Sequence, residues 1–254
     1  MKNKFLSLGI AAALLFACEK DNTPDIVIND NSVTNITEGG GGEPPAETTV
    51  NLSGVYTQDL VLDSEIDYVV TGPVLMADGT TLTIPAGLTI KAKPVGVNAY
   101  IAIQQGAQIN ALGTASNPIV LTSEASSPSS GDWGGLVICG KAPINSTPDG
   151  SEDTATSEVG GLSYGGNTPT DNSGNLQYVR IEYAGGAIDG NAELNGLSLY
   201  AVGSGTTIDY VQVYEGSDDG IEFFGGTVNA SHIVIVNAED DSMDWTEGYT
   251  GTVT

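Results

Sequence analysis

Six acidic residues towards the C-terminal end of the sequence recur at a fixed spacing. Asp218, Asp219 and Glu222 are followed 22 residues later by Asp240, Asp241 and Asp244. Carboxylates brought together in this way support two kinds of chemistry. They can chelate a hard divalent cation, and calcium is the expected one. It accepts six to eight oxygens in irregular geometry, whereas magnesium demands an octahedron. Alternatively, two of them, one kept protonated, can flank a glycosidic bond in a hydrolase. A solvated acidic face or carboxyls with raised pKa values would need no ligand at all. The Gly-Gly-x-Gly-x-Asp repeat of calcium β-rolls is missing, so a cation site here would be a local one.

Other reactive chemistry is thinly supplied. His232 is the only histidine, which leaves no Ser-His-Asp or Cys-His arrangement and no His-based zinc site. No phosphate-binding G-x-x-x-x-G-K-[ST] loop occurs. A lyase would need Lys or Arg to abstract a proton, and the last third of the chain offers only Arg180. No catalytic residue is therefore assigned, and binding is favoured over catalysis. The candidate ligand-binding side chains are aromatic: Tyr178, Tyr210 and Tyr214, with Tyr200 and Phe224 on the next strand. Facing outward, they could stack on sugar rings beside acidic acceptors; the other reading is that they only reinforce cross-strand packing.

The elements that position these residues show up when the chain is laid against itself. Tyr210–Tyr214 and His232–Val236 align at the same offset of 22, and Tyr178–Glu182 precedes Tyr210–Tyr214 by 32. The extra ten residues fit a loop within Ala187–Gly196. Alternation places Val179, Val211 and Ile233 inward with Ile181, Val213 and Ile235, and places Tyr178, Tyr210 and His232 outward. On a second strand Leu197, Ile221 and Met243 point inward. Short strands at this period, with glycine-rich corners and no 3.6-residue pattern, predict a right-handed parallel β-helix from Val50 to Thr254. Further turns are expected at 81–92, 99–111 and 113–123. The polar segment from about 143 to 172 reads as a lateral insertion, a binding rim or a tolerated surface loop.

Composition agrees with an all-β solenoid. There are 34 glycines in 254 residues, only 15% charged residues, and 7 basic against 32 acidic side chains, for a net charge of −25. A field this negative makes nucleic acid a poor partner. With 40% hydrophobic residues there is enough apolar surface for a core.

The motifs Gly131-Asp132-Trp133-Gly134-Gly135-Leu136-Val137-Ile138, Gly140-Lys141-Ala142-Pro143-Ile144-Asn145, Asp171-Asn172-Ser173-Gly174, Tyr178–Gly185 and Asp218-Asp219-Gly220-Ile221-Glu222 resemble those of Bacteroidetes-type surface lipoproteins with a pectate-lyase-like parallel β-helix. The resemblance runs from about Asp67 to Thr254. It implies the fold and a place on the cell surface, and brings no established activity.

The N-terminus supports that address. Lys2 and Lys4 precede an apolar run, Phe5 to Ala17, too short to span a bilayer. Leu15-Phe16-Ala17-Cys18 resembles the lipobox of bacterial lipoproteins, and Glu19-Lys20-Asp21-Asn22 resembles their surface-export signals. Residues 1–17 are thus expected to be a signal peptide, Cys18 the lipidated residue, and 18–49 a flexible acidic tether rich in Gly and Pro. The partners expected are a membrane, reached through this lipid anchor to the outer membrane, and an extracellular polysaccharide. Cys139, within an apolar run, reads as a small buried hydrophobe. The sequence stops just after a repeat, with nothing resembling a cap, which predicts further turns beyond Thr254.

Overall fold

The computed structural model describes residues 49–146, 153–189 and 192–254. The proposed signal peptide, Cys18 and most of the tether lie outside the described residues. From Thr49 onward the fold is all-β and largely parallel, consistent with a right-handed β-helix solenoid.

Each turn contributes three short strands, so the solenoid has three faces. Face A stacks Leu60–Val61, Thr81–Ile84, Gln108–Leu112, the first halves of Gly174–Glu182 and Thr207–Tyr214, and Asn229–Ser231. Face B stacks the first parts of Thr49–Tyr56 and Asp67–Met76, then Thr89–Ala92, Ile119–Ser123, the second halves of the same two long strands, and Val234–Val236. Face C stacks the end of Asp67–Met76 on Ile101–Ile103, Leu136–Cys139, Leu197–Tyr200, Ile221–Phe224 and Met243–Thr246. The offsets of 22 and 32 are the observed register: Val213 pairs with Ile235, Ile221 with Met243, and Val179 with Val211.

The core is built by like-on-like stacking. Ile103, Ile138, Leu199 and Phe223 form one column, and Ile181, Val213 and Ile235 another. All of these but Ile235 are fully or almost fully buried, and each contributes about 1.5–3 kcal/mol on leaving water. Ile233, Ile235 and Met243 are only half-buried and pack against this core.

The corners have their own rule. The turn from face A to face B is made by one residue with a left-handed backbone, Tyr178 (φ 51°), Tyr210 (φ 54°) and His232 (φ 54°) in successive turns. The exits from face B use Tyr183, Glu215 and Asn237 in the same way, at φ 60°, 56° and 57°. Side chains other than glycine pay about 1–2 kcal/mol for this conformation, so the corners must be held by what surrounds them. Gly135 is a corner of another sort: at φ 90° it lies so close to Asn195 and Gly196 that a Cβ would sit 2.4 Å from the Asn195 carbonyl. Next to it Trp133 is buried and donates its indole N–H to the Glu182 carbonyl at 2.8 Å.

The insertion is not strand-free. Thr154–Thr156 and Ser163–Gly165 form a small antiparallel hairpin within it; outside the insertion, in the loop expected at Ala187–Gly196, Ala187–Asp189 pairs antiparallel with Ala192–Glu193. The first hairpin lies over the outer surface of face C. Val159, Leu162 and Tyr164 pack there on Val137, Cys139, Tyr200, Ala201 and Phe224, making a second hydrophobic core outside the solenoid. Tyr164 Oη donates to Glu247 Oε1 at 2.9 Å, and Gln105 Nε2 donates to the carbonyls of Gly140 and Gly165.

Candidate functional site

Two surfaces carry the residues singled out from the sequence. The first is a ring ladder on the corner between faces A and B. Tyr178 lies flat on Tyr210, with ring centroids 4.3 Å apart, and Tyr210 lies flat on His232 at 4.0 Å. The left-handed corner throws each ring outward, and stacking one per turn is what the 4.8 Å strand spacing allows. His232 Nδ1 meets Asp209 Oδ1 at 2.7 Å, and Ser231 Oγ donates to the same oxygen at 2.7 Å. Beside the ladder runs an open groove of about 330 Å³, lined among others by Pro118, Arg180, Gln212 and Val234. Arg180 is held by Glu182 at 2.5 Å, while its buried Nε has no partner among the described residues.

This geometry revises the aromatic expectation. Tyr210 has a ring on both faces, so it offers a ligand only its edge and hydroxyl. Tyr214 is met edge-on by Tyr183 at 5.8 Å. Tyr200 and Phe224 do not face solvent at all: they stack on each other at 4.0 Å under the insertion, 0% and 8% exposed. The sequence pattern correctly puts them outside the solenoid, but a second layer covers that side. Cys139 is buried in the same layer, and burial pushes its thiol up to about 12, well away from nucleophilic reactivity.

The second surface is the acidic corner leading into face C. Asp218, Asp219 and Asp240 bring carboxylate oxygens within 4.8 Å of one another, and so do Asp219, Glu222 and Asp244. Asp219, almost fully buried, is the member shared by both groups. Asp241 joins differently: it belongs to neither group, and its backbone N–H donates to Asp219 Oδ1 at 2.8 Å. Burial first, then Glu193, Asp219 and Asp240, raise the Asp218 carboxyl to about 7. Asp219 rises to about 6, burial outweighing the Asp241 N–H. Glu222 rises to about 8, again mainly by burial, against a lowering hydrogen bond from Asn195. The ion pairs found among the described residues, such as Lys93–Glu124 and Arg180–Glu182, all lie elsewhere. The corner is therefore a concentration of negative charge and oxygen ligands that can chelate a divalent cation. Asn195, absent from the sequence-based expectations, completes it; no spacing rule signals an asparagine that reaches the corner from the preceding loop.

One family model matches most of the chain that builds this parallel stack. Residues 54–254 fit the pectate-lyase like beta helix domain. The chain belongs to this family. No curated protein and no solved structure matches it. Within this fold the strands fix the ladder and the acidic corner on neighbouring edges of the solenoid. Among the described residues, no helix is long and apolar enough to cross a membrane.

Proposed function

We propose that this β-helix is a lipid-anchored outer-membrane lipoprotein displayed on the cell exterior, that it binds an extracellular glycan without cleaving it, and that calcium occupies its acidic corner. The observation that carries the glycan reading is the groove beside the ring ladder. It pairs the ring edges of Tyr178 and Tyr210 with the amide of Gln212 and the partly exposed side chain of Arg180. Sugars present the same mixture, apolar C–H faces and hydroxyls that need donors and acceptors. The anchor reading rests on Lys2, Lys4, the apolar run and Cys18.

A glycan array probed with the purified protein tests this directly. Binding that weakens tenfold or more in Arg180→Ala and Gln212→Ala, with folding intact by circular dichroism, supports the groove. Unchanged binding in both variants would move the site elsewhere. Palmitate labelling that disappears in Cys18→Ala tests the anchor.

One observation favours an enzyme as the second reading. Glu222, held protonated at neutral pH, has Asp219 within 4.8 Å, near the separation of about 5 Å used by retaining glycosidases. Release of reducing ends from polysaccharides on the array, lost in Glu222→Gln, would establish that reading in place of simple binding.

A further inference from the structure

Face A differs from the rest of the solenoid in what it shows to solvent. Its inward positions are the buried Leu82, Ile109, Leu176, Ile208 and Ala230, and the residues beside them point out. Thr83, Asn110, Asn175, Thr207 and Asn229 form one outward rank, each paired in register with the next. At the strand spacing of about 4.8 Å this rank runs roughly 19 Å along the solenoid axis. Thr207 and Asn229 are exposed, and the other three are half-buried. Asn175 Nδ2 donates to Asn110 Oδ1 at 3.1 Å, which aligns the two amides along the rank. Asparagine is depleted in strands, so nothing in strand propensity puts three of them at these positions. Charge is nearly absent too. The protein has 32 acidic side chains, yet the strand segments of face A hold one charged residue, Asp209, and its carboxylate is tied to His232 Nδ1 and Ser231 Oγ at 2.7 Å. Face B carries Asp67, Lys91, Arg180 and Glu182, and face C carries Glu222 and Asp244.

We propose that face A is a docking surface for an uncharged polysaccharide, which lies along the rank from Thr83 to Asn229 with the ring ladder as its border. This rests on the glycan reading above and names the class of glycan. Amides and hydroxyls offer both donors and acceptors, and the hydroxyls of a sugar chain are their complement. A polyanion finds no cation to pair with on this face, and the net charge of −25 repels it. A protein partner would seat aromatic or arginine anchors in desolvated pockets, and a flat polar rank provides none. The apolar part of the contact comes from the edge. Tyr178 and Tyr210 directly follow Gln177 and Asp209, so the stacked rings border face A along the same axis. A polymer laid on the rank meets the same kind of group at each turn, and contacts too weak singly add up along its length.

The test is affinity electrophoresis and co-sedimentation of the purified protein with uncharged polymers (cellulose, β-1,3-glucan, mannan, starch) and with polygalacturonate as the charged one. The expected result is retention by at least one uncharged polymer, weaker retention by polygalacturonate, and little change between about 0.05 and 0.5 M salt. Asn110→Asp and Thr207→Asp place a charge on the rank and should weaken retention about tenfold. Thr89→Asp, which adds the same charge on face B, should change it less than about twofold. Asn229→Asp, at an exposed position, decides the matter if Asn110→Asp does not fold. Retention by an uncharged polymer that survives all three rank variants overturns face A as the docking surface, and the glycan reading then stands or falls on Arg180→Ala. Retention by polygalacturonate alone overturns the class of glycan but leaves that reading intact. No retention by any of these polymers, together with a blank glycan array, overturns both.

Discussion

Asp219 accepts the backbone N–H of Asp241, 22 residues ahead, at 2.8 Å, so a carboxylate in one turn satisfies a donor at the start of the next. Asp219→Ala removes that acceptor and leaves the N–H unpaired, at a cost of about 1–2 kcal/mol. Asp219→Asn keeps an oxygen acceptor and discards a charge that neighbouring carboxylates repel, so it should be neutral or mildly stabilising. Urea unfolding in the presence of EDTA distinguishes the two variants. Equal destabilisation by both would mean that the charge, not the hydrogen bond, is what matters.

The raised carboxyls give the metal-free protein an unusual pH profile. Asp218, Asp219 and Glu222 sit at about 7, 6 and 8, above their ordinary values of 3.8, 3.8 and 4.5. The folded state then holds more protons than the unfolded chain between pH 4 and 8, and stability falls as pH rises through that window. In EDTA the melting temperature should decline from pH 5 to pH 8.5, with Glu222→Gln flattening the upper part. Saturating calcium should raise the alkaline end most. A metal-free profile that climbs towards pH 8 would contradict this.

Register makes a sharper prediction on face B. Val213 is 1% exposed and stacked between Ile181 and Ile235, whereas Gln212 beside it points out of the solenoid. Val213→Asp buries an unpaired charge and should cost about 3 kcal/mol or more. Gln212→Asp should cost under about 0.5 kcal/mol. Chemical denaturation of both variants measures the difference.

The ring ladder predicts an inverted order of small residues. Tyr210→Ala loses two ring contacts worth about 0.5–1.5 kcal/mol each. In an ordinary strand glycine would be worse than alanine by about 0.5–1 kcal/mol. At φ 54° the penalty falls on alanine instead. Tyr210→Gly should therefore melt at or above Tyr210→Ala, and a clearly lower melting temperature for the glycine variant would show that the corner relaxes when the ring is removed.

Much of this architecture was legible because stacking copies itself into the sequence. The ring-then-alternating-apolar pattern that starts at Tyr210 and returns at His232, with the acidic pattern that starts at Asp218 and returns at Asp240, records the pairing of Val213 with Ile235 and of Glu222 with Asp244. Alternation reports which side of a strand a residue takes, but not whether something covers that side. For that reason Tyr200 and Phe224 read as exposed. The covering signal was faint: Val159, Leu162 and Tyr164 are scattered apolar residues in an otherwise polar stretch. Likewise, nothing in Tyr178, Tyr210 or His232 announces a left-handed backbone, because the preference comes from the corner they occupy and not from the residue. Asn195 was hidden for a related reason, since its role depends on a contact across 27 residues of chain.

The connection that follows face B has a consequence for how such a protein can change. Between Val179 and Val211 the chain takes ten residues more than between Val213 and Ile235, yet the strands on both sides pair without a slip. The surplus is expelled sideways as the hairpin around Ala187–Glu193. Chain length at that corner is thus uncoupled from the architecture, and loop and scaffold can diverge at different rates. A lineage could rewrite what this edge touches by insertion or deletion alone, leaving every stacked column of the interior unaltered.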